Sequence, residues 1–202
     1  KRIASSYLIK KQGAFLLFQE EVIRKAINSI IKAIGENPER EGLKDTPDRV
    51  AKMYADLFSG LGKDPSSVLT TSFQEKYEEF VTIKNIPFSS VCEHHFLPFF
   101  GSANIGYIPN GKVVGASKLA RVVDIISHRP QIQERLTQQL ADTIYETINP
   151  KGVGVLIEAE HMCMSIRGVK KPGMLVVTSS SRGEFTNKAN ESSDLFRILK
   201  GT

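Results

Sequence analysis

Two helical stretches stand back to back between two pairs of strand-like segments, and that order limits the folds open to the chain. Residues 117–129, "SKLARVVDIISHR", are separated by Pro130 from "QIQERLTQQLADTIYETI". The second stretch carries Ile132, Leu136, Leu140 and Ile144 at i, i+4 steps and ends at Asn149-Pro150. Ahead of them "EFVTIKNIPF" and "GSANIGYIP" read as strands, and behind them "GVGVLIEAEHMC" and "MLVVTSSSRGEF" do so again. A β-β-α-α-β-β order predicts an α+β fold with helices covering one face of the sheet.

The upstream part has a different texture. In "FLLFQEEVIRKAINSIIKAI", residues 15–34, Phe18, Val22, Ala26, Ile30 and Ile34 recur at i, i+4, with Ile23, Ile27 and Ile31 alongside. Gly35 is placed to end this amphipathic helix. A second helix is expected in "TPDRVAKMYADLFSG", with Thr46 as N-cap, Pro47 in the first turn and an apolar stripe of Val50, Met53, Tyr54 and Leu57. Residues 1–65 therefore read as a helical appendage and residues 66–202 as the main domain. "SSDLFRILK" suggests a short closing helix.

With 202 residues, 41% of them hydrophobic, the chain is long enough to build a sizeable core. No apolar run approaches the roughly 18 residues needed to span a bilayer. The opening "KRIASSYLIKKQG" has basic residues without the apolar region and cleavage site of a secretory signal. A cytoplasmic protein with no membrane partner is expected. The net charge of +5 is mild and is not gathered into a long basic run, which argues against nucleic acid as a partner. It suits an anionic small molecule, or simply a solvated surface.

The chemistry-bearing residues are concentrated. "VCEHHFLPFF", residues 91–100, sets Cys92 and His95 at C-x-x-H spacing with His94 between them. In a continuous strand, positions i and i+3 face opposite ways, so both reach one ion only if the chain turns there. The second cluster, "EHMC", places His161 and Cys163 two apart in what reads as a strand, on one face with Ala159 and Ser165. A buried cysteine and a satisfied histidine would explain either cluster alone. Together they hold both cysteines and three of the four histidines. Two thiolates and one histidine make three ligands, leaving a coordination position open for water, and soft thiolates favour zinc over magnesium or calcium. Histidines outside the ligand set would then stand beside the ion as acid or base.

Other candidates are weaker. His128, at a helix end in "ISHRP", is assigned to structure. "GKVVGASK" lacks the spacing of a Walker A loop. After it, Ser117 at a helix start offers backbone N–H groups to an anion, with Lys118 and Arg121 i, i+3 on one face. An exposed basic helix edge is the plainer alternative.

Six segments in order resemble the GTP cyclohydrolase I family: "GENPEREGLKDTPDRVAKMY", "VCEHHFLPFFG", "YIPNGKVVGASKLARVVD", "RPQIQERLTQQ", "HMCMSIRG" and "TSSSRGEF". The resemblance implies that Cys92, His95 and Cys163 bind one zinc per chain and that His94 and His161 are catalytic. It matches Gln133 and Glu134 to the pair that recognises guanine. Ser117, Lys118, Arg121 and Arg167 match ribose and triphosphate contacts, and Arg49 matches an arginine reaching the triphosphate from another chain. The activity implied is zinc-dependent hydrolysis of GTP at C8, release of formate and rearrangement to 7,8-dihydroneopterin triphosphate, which serves folate or tetrahydrobiopterin synthesis.

The fold implied is the tunnelling fold, a four-stranded antiparallel sheet with two long helices. Sheets from five chains close a barrel, and two pentamers stack as a homodecamer with active sites at subunit interfaces. The resemblance leaves room for a regulatory protein partner. The sequence departs from the pattern at Met174 and Leu175, and residues 1–14 match nothing in it. Two rival readings are a related nitrile reductase, which would use a nucleophilic cysteine with a nicotinamide, and a catalytically inactive GTP-binding homologue. The complete ligand set and both extra histidines argue against each.

Overall fold

A computed structural model describes residues 8–11, 14–70, 72–186, Arg197 and Leu199, with side chains from Phe18 onward. The expected closing helix therefore lies outside the described residues except at Arg197 and Leu199, both helical. The chain divides into two compact units, Lys1–Lys63 and Asp64–Thr202.

In the first unit, strand β1 (Leu8–Lys11) pairs antiparallel with β2 (Ala14–Leu17). Helix α1 spans Glu20–Ala33 and α2 spans Thr46–Leu57. The periodicity predicts a helix from Phe15, but β2 takes up that stretch and α1 begins where Glu20 and Glu21 can face its positive end. Arg24 donates to both, at 3.0 and 3.1 Å. Gly35, at φ 87°, ends α1 as the sequence suggests. Its N–H bonds the Lys32 carbonyl while Glu36 N–H reaches back to Ile31, a Schellman closure.

Thr46 is not the N-cap of α2. The Arg49 N–H bonds the Asp45 carbonyl at 3.0 Å, so the helical ladder starts one residue earlier than expected, and Asp45 is the capping position. Ile31 of α1 is buried, whereas Val22, Ile30 and Ile34 stay more than half exposed.

The second unit opens with a 3-10 turn at Pro65–Val68 and then runs through β3 (Ser72–Gln74), β4 (Val81–Cys92), β5 (Pro98–Ile108) and β6 (Lys112–Val114). Helix α3 (Ala116–Ser127), β7 (Pro130–Gln131), α4 (Gln133–Ile148), β8 (Gly152–His161), the single turn α5 (Met162–Ser165) and β9 (Leu175–Gly183) follow. The main sheet is ordered β7-β4-β5-β8-β9. Its four long strands are antiparallel, and β7 adds two residues parallel to β4, a short strand that the sequence pattern does not predict. Pro130 breaks the helical run and leaves the chain extended there. The Gln131 carbonyl then accepts from Glu93 N–H at 3.0 Å. A small separate ribbon pairs β3 with β6.

The core lies between this sheet and α3 and α4. Leu119, Val122, Val123 and Ile126 of α3 and Leu136, Leu140, Ala141 and Ile144 of α4 are fully buried. They join Ala103, Ile105 and Tyr107 of β5 and Val153, Val155, Ile157 and Ala159 of β8, alternate residues that share one face. Fully burying a Leu or Ile contributes roughly 1.5–3 kcal/mol, so this layer is what fixes the register of β5 against β8. Leu156 points to the opposite face and packs with Phe185 and Leu199. Gly101 marks a close approach, since a Cβ there would run into the Glu158 carbonyl of β8.

Candidate active site

The turn that C-x-x-H spacing requires is present. Between β4 and β5 the chain reverses within Cys92–Leu97: Cys92 N–H bonds the Leu97 carbonyl and Phe96 N–H bonds the Cys92 carbonyl, both at 2.9 Å. Phe96 adopts a left-handed φ of 54° to complete the reversal. One compact turn can therefore present Cys92 and His95 to the same point. Cys92 is buried at the turn's base, and His94 and His95 are exposed. His94 Nδ1 lies 3.8 Å from Cys92 Sγ.

The third member arrives from β8, though not as the spacing suggests. The strand ends at His161, and Cys163 sits in the helical turn α5, so the two residues do not share a strand face. The sheet register sets Phe99 opposite His161, which brings the start of α5 next to the β4–β5 turn. As a result, the ligand atoms of Cys92, His95 and Cys163 lie within 4.8 Å of one another. Thiolates around a tetrahedral zinc with Zn–S of about 2.3 Å stand about 3.8 Å apart, so the set fits such an ion with small side-chain movement. Burial and the neighbouring Cys92 thiol push the Cys163 thiol up, and Arg167 pulls it back.

His161 is half-buried. Its imidazole stacks on Phe99 with centroids 4.5 Å apart and planes 4° from parallel. Its Nε2 lies 2.8 Å from Gln133 Oε1. Burial lowers its pKa, and the nearby Glu134 carboxylate opposes that shift. Glu134 is exposed in the first turn of α4, while Gln133 beside it is 1% exposed with its side chain turned inward. The Gln133 amide nitrogen donates to the Ile157 and Val176 carbonyls and to Thr178 Oγ1.

Two supporting pairs lie outside the residues singled out from sequence. Arg135 grips Glu93 through both guanidinium nitrogens, at 2.6 and 3.1 Å, and holds the Glu93 carboxyl below its usual range. Glu160 accepts from Ser165 Oγ at 2.6 Å and from Gly173 N–H at 2.8 Å, which spans the loop carrying Arg167, Lys170 and Lys171. Those bonds depress the Glu160 carboxyl. The signal for both was opposite charge or hydrogen-bonding capacity inside the same motif-dense segments.

The basic residues are arranged more loosely. Lys118 and Arg121 stand on the first turns of α3, and Gly115, not Ser117, is the N-cap. Lys118 N–H is tied to the Gly115 carbonyl at 2.8 Å, while no side chain caps the helix start. The side chains of Ser117, Lys118, Arg121 and Arg167 make no hydrogen bond or ion pair among the described residues. Arg49 belongs to α2 of the first unit and pairs with Asp45 at 3.3 Å. His128 caps α3, its Nδ1 2.7 Å from the Asp124 carbonyl.

Comparison with known proteins points the same way. The GTP cyclohydrolase I family model matches residues 23–200. A GTP cyclohydrolase 1 of Pelotomaculum thermopropionicum is 56% identical over 92% of this chain and 99% of its own length. Those of Halalkalibacterium halodurans and Streptococcus pyogenes are 55% and 50% identical, over 90% and 94% of this chain and 97% and 98% of theirs. Among solved structures, the apo archaeosine synthase QueF-Like overlaps 54% of this chain and 97% of its own at 20% identity, with a TM-score of 0.41. The match to the family spans both clusters and the segments between them, and the chain belongs to the GTP cyclohydrolase I family.

Proposed function

We propose that the chain opens the imidazole ring of GTP at C8, releases formate and closes the product to 7,8-dihydroneopterin triphosphate. The observation that carries the site assignment is the grouping of Cys92, His95 and Cys163 within 4.8 Å, with His94 and His161 left free of that set. Zinc bound there would supply Lewis acidity and lower the pKa of water.

The chain's own residues do the rest. The Glu134 carboxylate accepts hydrogen bonds from guanine N1–H and the 2-amino group, a donor pair that adenine lacks. His161 and His94 deliver and remove protons as the ring opens, formate leaves and the pterin ring closes. Two waters are consumed in the two hydrolyses, and one is released on ring closure. Burial lowers the His161 pKa and so favours its neutral form, while Glu134 opposes that shift. Ser117, Lys118, Arg121 and Arg167 hold the ribose and triphosphate, and Arg49 reaches the triphosphate from another subunit.

Residues 66–202 act as the catalytic domain in a tunnelling fold, with residues 1–65 as the appendage. Five sheets close a barrel and two rings form a homodecamer, which would cover the sheet edges that one chain leaves unpaired. Two free thiols in the site suit the reducing cytoplasm. Incubating the zinc-loaded protein with GTP should yield formate and, after oxidation, pterin fluorescence. Absence of both would overturn the proposal.

A further inference from the structure

The surroundings of Gln133 leave one way to place its amide. One end lies 3.2 Å from the Ile157 carbonyl, 2.9 Å from the Val176 carbonyl and 3.1 Å from Thr178 Oγ1. Carbonyl oxygens only accept, so that end is the NH2 group. The other end, Oε1, then faces His161 Nε2 at 2.8 Å. An amide oxygen has no hydrogen to give, so the hydrogen between them belongs to His161 Nε2.

The hydroxyls behind the amide agree with this assignment. Thr137 Oγ1 lies 2.7 Å from the Gln133 backbone carbonyl and 2.6 Å from Thr178 Oγ1. Its single hydrogen goes to the carbonyl, so Thr178 donates to Thr137 and is left to accept from Gln133. Gln133 and Thr137 are each 1% exposed, which keeps water from competing. Phe99, stacked flat on the imidazole, limits tilting of the ring.

We infer that Gln133 is a positioning residue that keeps the hydrogen on His161 Nε2 and so leaves Nδ1 as the bare nitrogen of the ring. The inference rests on the acid–base role proposed for His161. It also gives Gln133 a different task from the guanine contact implied by family resemblance, because both amide hydrogens are used inside the chain.

Neutron diffraction from the zinc-loaded enzyme tests it directly. Deuterium is expected on Nε2, facing Gln133, and a bare Nε2 with deuterium on Nδ1 would overturn the assignment. Kinetics test the consequence. Gln133→Leu should lower kcat roughly 100-fold, the scale of general acid–base catalysis, while zinc content holds and KM for GTP moves less than about threefold. Thr178→Val, which removes one support and leaves the two carbonyls, should give a smaller loss in kcat in the same pattern. A raised KM with kcat preserved would make Gln133 a base contact and refute the inference. Turnover retained by His161→Ala would instead remove the acid–base role beneath it, whatever the neutron map shows.

Discussion

Arg135 and Glu93 form a two-pronged ion pair that fastens the first turn of α4 to the turn carrying Cys92, His94 and His95. The bond therefore links the groups proposed for base recognition to those proposed for metal binding. Both side chains are partly exposed, so solvent screens the pair and it should add little to stability. Its effect should appear in metal affinity, where partners of ligand-bearing segments commonly matter about 10-fold or more. Arg135→Met should release zinc to a chelator about tenfold more readily while shifting the thermal midpoint little. Arg135→Lys should recover only part of the loss, since an ammonium cannot match the fork.

Ligands and proton-transfer groups should separate cleanly by elemental analysis. Wild type is expected to hold about one zinc per chain. Cys163→Ala should lose both zinc and turnover. His94→Ala and His161→Ala should keep zinc and GTP binding yet fail to complete turnover. Zinc loss in either histidine variant would place that residue in the ligand set.

Glu134→Ala should weaken kcat/KM for GTP by roughly 1–3 kcal/mol, the cost of leaving a donor without its acceptor, at unchanged zinc content. Inosine triphosphate, which lacks the 2-amino group, should lose less from the same substitution. Equal losses for the two nucleotides would show that Glu134 does not read that amine.

Glu160 should act as a clamp on the loop that follows α5. Its folded-state pKa is depressed, chiefly by the Ser165 hydroxyl and then the Gly173 N–H. The clamp is therefore complete above the unfolded carboxyl range of about 4.3 and is lost as pH falls through its lower folded value. Hydrogen exchange at the Gly173 amide should be slow at neutral pH and fast in Glu160→Ala. KM for GTP should rise in that variant through Arg167, with zinc retained.

Much of this organisation was legible in sequence because the signals were local and periodic. Leu136, Leu140 and Ile144 fall on one face of a helix by spacing alone, and each is fully buried. Cys92 and His95 could be paired once a turn was assumed. The rest depended on partners distant in sequence. The end of β8 at His161, which moves Cys163 onto a helical turn, is set by its pairing with Phe99. No spacing rule shows that Gln133 turns inward, because that direction is fixed by the Ile157 and Val176 carbonyls on two other strands. The strand at Phe15 was hidden by an apolar run that suits helix and strand alike.

Arg49 tests the proposed sharing of sites between subunits. Arg49→Ala and His161→Ala should each be nearly inactive. Co-expressed in equal amounts and randomly assembled, about a quarter of sites would combine intact residues from two different chains, and activity should return accordingly. Mixed particles, verified by mass, that stay as inactive as either parent would rule out the contribution of Arg49 from a neighbour.

The pairing of Phe99 with His161 has a thermodynamic consequence for the metal. In small zinc modules the ion closes loops that are open without it, so binding and folding are one event. Here the hydrogen bonds between β5 and β8 have already closed the long loop separating Cys92 and His95 from Cys163, and the loop-closure entropy is met by the sheet. Ligation has only side chains and one short helical turn left to order. A chain without the proposed ion would thus keep its sheet, and metal exchange at the proposed site would be a local rearrangement at the end of β8, not an unfolding step.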